Sequence, residues 1–247
     1  MSVSPEKSKP SWFWPLSAIA VPPVALITKT KRLGTLPTEG AYVLAPNHMS
    51  EFDPLIVAVA VWRMGRAPRF MAKASLFKVP IVGWVLRVLN MIPVQRESTS
   101  VGARQTLAAA EDLASTGRGV IVYPEGTLTR DPDLWPMRGK TGAVRLALEA
   151  GVPLIPAAHW GAQKIMPRYG KFSLWPLRKK TVFVVGEPLD LSAYVGRERD
   201  TRALADATNL LMNAITALLE TLRDEKAPAE RWDPTKHNQK ETGNYES

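Results

Sequence analysis

The sequence predicts an α/β domain built on a largely parallel sheet covered by helices on both faces. Three observations carry this. From Gly40 onward, short apolar runs of strand length alternate with helix-length amphipathic stretches. The run "GVIVYP" and most of "VPLIPAAHW" are continuously apolar, as strands buried on both faces are. The composition, 45% apolar with 21 prolines in 247 residues, suits one punctuated domain with a real core rather than a long helical bundle.

Strands are predicted at 41–45, 68–73, 91–96, 119–124, 152–160 and 181–186. Helices are predicted at 53–64, 81–90, 100–116, 139–151 and from about 200 to 223. Asp53-Pro54 is an N-cap and N1 pair for the first, with Ser50-x-x-Asp53 an alternative capping box, and Gly117 stops the third. Three segments result. Residues 1–29 form a disordered start and an apolar membrane-associating segment, 30–224 the domain, and 225–247 a polar flexible tail.

Within the first segment, Trp12 to Ile27 carries no charge. A spanning helix needs about 20 apolar residues, and Pro15, Pro22 and Pro23 interrupt this one. "AIA" mimics a signal-peptidase site, but the apolar run before it is too short for a signal core. Two readings stay open: an interfacial or re-entrant anchor, or an arm packed on the body.

With no cysteine the chain has no disulfide, thiolate nucleophile or thiolate metal site, and no other metal-ligand cluster stands out. A net charge of +9 favours anionic partners: nucleic acid, acidic lipid head groups or phosphorylated small molecules. Eight tryptophans favour lipid, since indole collects where an apolar body meets a polar rim. No RNA-binding aromatic signature or zinc finger supports nucleic acid.

Two motifs carry chemistry. In "NHMSEFD" (47–53), His48 and Asp53 would point roughly 140° apart on a continuous helix, so they meet only if His48 lies in the loop before the helix. There the carboxylate can hold one ring nitrogen and leave the other to accept a proton. The plainer alternative is that Asp53 caps a helix and His48 fills a turn. In "YPEGTLTR" (123–130), Glu125 stands beside the exposed backbone N–H groups of Gly126 and Thr127, with Arg130 close by. That set suits a ligand bearing hydroxyls or phosphate, and equally an ordinary surface turn.

With both motifs in order, the chain resembles the lysophosphatidic acid acyltransferase family, the glycerolipid acyltransferases with an Asn-His-x-x-x-x-Asp signature. Asn47-His48…Asp53 matches the first family block and Arg96, ending "NMIPVQR", the second. "YPEGT" with Arg130 matches the third and "VPLIPAA" (152–158) the fourth. The resemblance implies the glycerolipid acyltransferase fold, a mixed, mostly parallel sheet flanked by helices. It implies His48 as general base, Asp53 as the residue that orients it, and Asn47, Arg96, Glu125, Gly126, Thr127 and Arg130 as substrate-binding residues. Pro153 and Pro156 would shape a pocket. It further implies acyl transfer from acyl-CoA or acyl carrier protein to lysophosphatidic acid at an anionic membrane surface. No metal or cofactor is called for, and the place is the cytoplasmic face of the cell membrane, peripheral or monotopic. Another lysolipid or glycolipid acceptor is the alternative, and a non-catalytic lipid or nucleic-acid binder the rival from another class. Two positions depart from the family pattern: Leu128 where an arginine usually follows Glu-Gly-Thr, and Asn90 where a glycine usually stands.

The remaining candidates are electrostatic. Arg63, Arg66, Arg69, Lys73 and Lys78 surround the first helix, and Arg168, Lys171, Arg178, Lys179 and Lys180 flank "SLWPL", a combination that reads as a surface for anionic lipid heads. "GKTG" (139–142) is half a phosphate-binding loop, with Leu134 where a full one needs glycine. Lys140 can still reach a substrate phosphate from a helix start. His159 is expected to be a hydrogen-bonded strand-end histidine.

Overall fold

The computed structural model describes residues 11–94 and 99–240, side chains of 99–106 excepted. In chain order the elements are α1 (Phe13–Ile27), β1 (Thr28–Leu33), β2 (Tyr42–Pro46), α2 (Asp53–Arg63), β3 (Met71–Lys73), α3 (Pro80–Val88) and β4 (Ile92–Val94). Then come α4 (Thr99–Thr116), β5 (Gly119–Ile121), α5 (Gly142–Ala150), β6 (Leu154–Trp160), β7 (Lys179–Val185) and α6 (Thr201–Arg223).

Five strands form one mixed sheet in the order β1-β7-β6-β2-β5. The pairs β2–β5, β2–β6 and β1–β7 are parallel, and β6–β7 is antiparallel. The parallel pair β3–β4 lies beside the β5 edge, linked through a bridge between Phe70 and Ile121. Because side chains alternate along a strand, β2 supplies both faces. Val43 and Ala45 pack with Leu113 of α4, Val144 of α5 and Leu211 of α6. Tyr42 and Leu44 pack with Val57 and Val61 of α2 on the other face. α1 lies outside α2, with Val24 and Ile27 against Ile56 and Val59.

Two elements depart from the sequence reading. α1 runs through Pro22 and Pro23, which the sequence reading took as breaks. Each proline removes a backbone donor, but burial of Phe13, Val24 and Ile27 favours the helix and offsets that loss. β1, "TKTKRL", was read as no element, and it pairs along its whole length with β7. The residues after α6 run back along the body: Arg138 N donates to Trp232 O (2.9 Å), and Pro234 is buried. A free tail is therefore not what residues 225–240 form.

Arg66 is buried, contrary to its reading as a surface cation. Its guanidinium donates to the carbonyls of Pro37, Gly40 and Gly117 and lies over the Tyr42 ring. Arg69 is buried as well, with its guanidinium over the Phe13 ring.

Candidate active site

Strands β2, β5 and β6 run parallel, so their C-terminal ends open on one edge, where α/β sheets gather functional loops. The segment after β2 carries Asn47 to Asp53, the segment after β5 carries Tyr123 to Arg130, and β6 ends in His159 and Trp160.

His48 and Asp53 meet. His48 Nδ1 lies 3.0 Å from Asp53 Oδ2. The same oxygen accepts from Met49 N (2.6 Å) and Ser50 N (2.8 Å). Asp53 does not cap α2 as expected. The N-cap is Phe52, without a side-chain cap bond, and the carboxylate instead turns back to gather the loop behind it. Asp53 Oδ2 is thus an acceptor on every side, so the His48 proton sits on Nδ1 and Nε2 keeps its lone pair. Ser50 does local work: its hydroxyl accepts from Phe52 N and donates to Met166 O (2.6 Å).

The His48 ring stacks on Tyr123, centroids 4.0 Å apart and 18° between planes. Tyr123 stacks on Phe70 in turn. Burial, with the Asp53 charge adding to it, pushes the Tyr123 phenol well above its ordinary range. The base is therefore seated on a neutral aromatic plate.

Glu125 braces this loop. The turn that presents it closes with Gly126 N donating to Tyr123 O, and Gly126 takes a left-handed φ of 72°. The carboxylate is fully buried, Oε1 accepting from His48 N (2.9 Å) and Oε2 from Met137 N (3.0 Å). Burial pushes the carboxyl up to about 8, against those N–H bonds that pull it down. Glu125, expected at the acceptor, makes two contacts to the protein's own main chain. Thr129 N adds a third tie, to His48 O (2.7 Å).

Asn47, also expected at the substrate, makes main-chain contacts of the same kind. Its amide is buried and spent on the backbone of β6: Oδ1 accepts from His159 N (2.9 Å) and Nδ2 donates to His159 O (3.2 Å). Both ends of the side chain are thus engaged on the main chain of β6. His159 is hydrogen-bonded as expected, Nε2 donating to Asn47 O (2.9 Å), and burial lowers its pKa, which keeps it neutral. Sequence reasoning missed that Nε2 also lies 3.7 Å from Asp53 Oδ2.

Arg130 is buried and reaches Tyr169 Oη with Nη1 (3.4 Å). Thr127 is buried beside it in the chain. Lys140 N donates to Pro124 O, and its side chain runs past Gly126 into a cavity of about 400 Å3. Glu125, Arg138, Thr141, Asn209 and Pro234 line this cavity too, whereas His48 and Asp53 do not. Arg96 lies outside the described residues. Among the described residues no group of three or more His, Asp and Glu is arranged to hold a metal ion.

The arrangement of His48, Asp53 and Glu125 falls within a matched region: a protein-family model described as Acyltransferase aligns with residues 28–160, more than half of the chain. The chain belongs to the Acyltransferase family. This acyltransferase-family protein is 30% identical over 125 residues to the chloroplastic 1-acyl-sn-glycerol-3-phosphate acyltransferase BAT2 of Brassica napus, covering 51% of this chain and 34% of that one. It is 29% identical over 192 residues to the 1-acyl-sn-glycerol-3-phosphate acyltransferase of Bacillus subtilis strain 168, covering 76% and 87%. The match thus spans about a third of the chloroplastic relative and most of the bacterial one. Its fold is that of the crystal structure of the 1-acyl-sn-glycerophosphate acyltransferase PlsC from Thermotoga maritima, with a TM-score of 0.58 at 24% identity over 82% of this chain and 76% of that one.

Proposed function

We propose that the protein is an O-acyltransferase that moves a fatty acyl chain from acyl-CoA, or acyl carrier protein, to the free hydroxyl of 1-acyl-glycerol 3-phosphate. The product is phosphatidic acid. One observation carries the reading: the carboxylate–imidazole pair of Asp53 and His48, whose tautomer leaves Nε2 as a base. In the proposed step Nε2 takes the acceptor's hydroxyl proton, and the oxygen attacks the thioester carbonyl. The tetrahedral adduct collapses with the thiolate leaving, and the proton on Nε2 passes to that sulfur. Acyl transfer is direct, which agrees with a chain that has no cysteine.

Residues 30–224 are proposed as the catalytic unit. Arg96, Arg130 and Lys140 supply positive charge for substrate phosphates, and Gly126 and Thr127 shape the turn beside them. Asn47 and Glu125 hold the catalytic loop. The relatives named for 1-acyl-sn-glycerol-3-phosphate support the choice of acceptor. We place the protein at the cytoplasmic face of the cell membrane, peripheral or monotopic. No helix among the described residues is long and apolar enough to cross a membrane.

Release of free CoA, followed with a panel of lysolipids by mass spectrometry, tests the reading. Wild type should form phosphatidic acid from lysophosphatidate, and His48→Ala should not. A His48→Ala variant working at the wild-type rate would overturn the mechanism. A preference for another lysolipid would overturn the acceptor alone.

A further inference from the structure

Between β6 and β7 the chain makes a loop, "KFSLWPLRKK", that turns its apolar side chains outward. Trp175 is 80% exposed, Leu174 53%, Phe172 48% and Leu177 44%. Four large apolar groups within six residues would not stand in water without a use. Lys171, Arg178 and Lys180 are exposed around them. Indole and leucine at a tip, with cations at the base, match the layering of an anionic bilayer: acyl chains below, phosphates above.

The loop is held in place rather than trailing. Ser173 N donates to Ile165 O (2.7 Å), and Lys179 Nζ donates to Ser173 O and Oγ. Its position relative to α1 is fixed by the sheet. Lys179, directly after the loop, pairs with Thr28, directly after α1. The two apolar pieces therefore end on neighbouring strands, about 5 Å apart. α1 exposes Trp14, Ile19 and Leu26, and Trp12, at its N-cap, is exposed too and meets Trp84 of α3 edge-on.

The loop is also tied to the site. Phe172 packs on Phe52, between His48 and α2, with ring centroids 5.7 Å apart. Tyr169 N donates to Glu51, and Arg168 Nη1 donates to the carbonyls of Thr129 and Asp131. The segment leading into the loop thus grips both chemical motifs.

We propose that the Phe172–Leu177 loop inserts into anionic membranes and so sets the catalytic loop at the bilayer surface. This rests on the reading of the protein as membrane-peripheral, and its test does not depend on the reaction.

The experiment is co-sedimentation of the full chain with vesicles of phosphatidylglycerol and phosphatidylcholine, and of phosphatidylcholine alone. Two variants are compared with wild type: Leu174→Ser/Trp175→Ser, and Lys171→Gln/Arg178→Gln/Lys180→Gln. The first should bind both vesicle types about tenfold more weakly or worse, with an unchanged Tm because the replaced groups lie in solvent. The second should lose on the order of fivefold in affinity per charge removed, on anionic vesicles only, and should show a weaker salt dependence. Wild-type binding by both variants overturns the proposal. So does a Leu174→Ser/Trp175→Ser variant that binds vesicles normally but shifts from dimer to monomer in sedimentation equilibrium, since the patch would then serve a second copy. Loss of vesicle binding alongside a wild type that transfers no acyl group would leave the anchor standing and remove the proposed reaction instead.

Discussion

Asp53 Oδ2 lies 3.0 Å from His48 Nδ1 and 3.7 Å from His159 Nε2, so one carboxylate oxygen sits between two imidazoles. The two rings are not equivalent. His48 reaches the surface, whereas His159 is sealed inside and kept neutral by burial, its Nε2 proton going to Asn47 O. At His159 the Asp53 charge works against the lowering by burial, whereas His48 takes the shorter contact.

Asp53→Asn removes that charge while keeping the shape. The amide can still accept from Met49 N or Ser50 N, but an NH2 facing His48 favours the wrong tautomer. A kcat about a thousandfold lower or more is expected, with KM moved far less, in a CoA-release assay. A variant within tenfold of wild type would show that the pair does not orient the base.

Asn47→Ala should weaken the fold rather than the chemistry of binding. It leaves the main-chain N–H and C=O of His159 without their partners in a buried place. The expected loss is roughly 2–4 kcal/mol in urea denaturation, with acceptor KM within about twofold of wild type. A large rise in KM at full stability would return Asn47 to the substrate.

Tyr123→Phe should be almost silent. The hydroxyl is buried with no hydrogen-bond partner among the described residues, and the ring does the stacking. Stability should stay within about 1 kcal/mol of wild type, on either side. Tyr123→Ala removes the plate under His48 and should lower both Tm and kcat.

Stability should respond to pH in opposite senses at two sites. The Glu125 carboxyl is raised from 4.5 to about 8 by burial, so over that window the folded state keeps a proton that the unfolded state has released. Its contribution is complete below the unfolded value and is lost as pH rises through the folded one, up to about 5 kcal/mol in all. Glu125→Gln should flatten this alkaline decline when urea midpoints are compared at pH 5 and pH 8. His159 is lowered from 6.5, so its contribution is present above that value and is lost as pH falls below it. His159→Gln should flatten the acid decline, and parallel wild-type and variant curves would refute either assignment.

Much of this arrangement was legible because the relevant signals are local. The five-residue spacing of His48 and Asp53, and Pro54 behind them, already required a loop followed by a helix. Apolar strands and amphipathic helices located nearly every element within a few residues. What stayed hidden depends on which strands become neighbours. His159 approaches Asp53 because β6 lies beside β2, with Ala157 opposite Pro46, and no spacing in the chain announces that pairing. β1 was masked by its charged residues, of which Lys29 and Lys31 face solvent while Thr28 turns inward and Thr30 and Arg32 are half-buried on its face. Glu125 read as a ligand because a carboxylate in a turn is usually solvated, and only its full burial reveals the brace.

β1 precedes the other strands of its sheet in the chain, yet it is among the last to find a partner. In the five-stranded sheet β1 pairs only with β7, which the ribosome delivers some 150 residues later. Until then β1 has left the exit tunnel with no strand of the sheet to pair with. At ordinary synthesis rates that interval lasts about ten seconds or longer. The five-stranded sheet therefore cannot be completed until its last strand, β7, has been made.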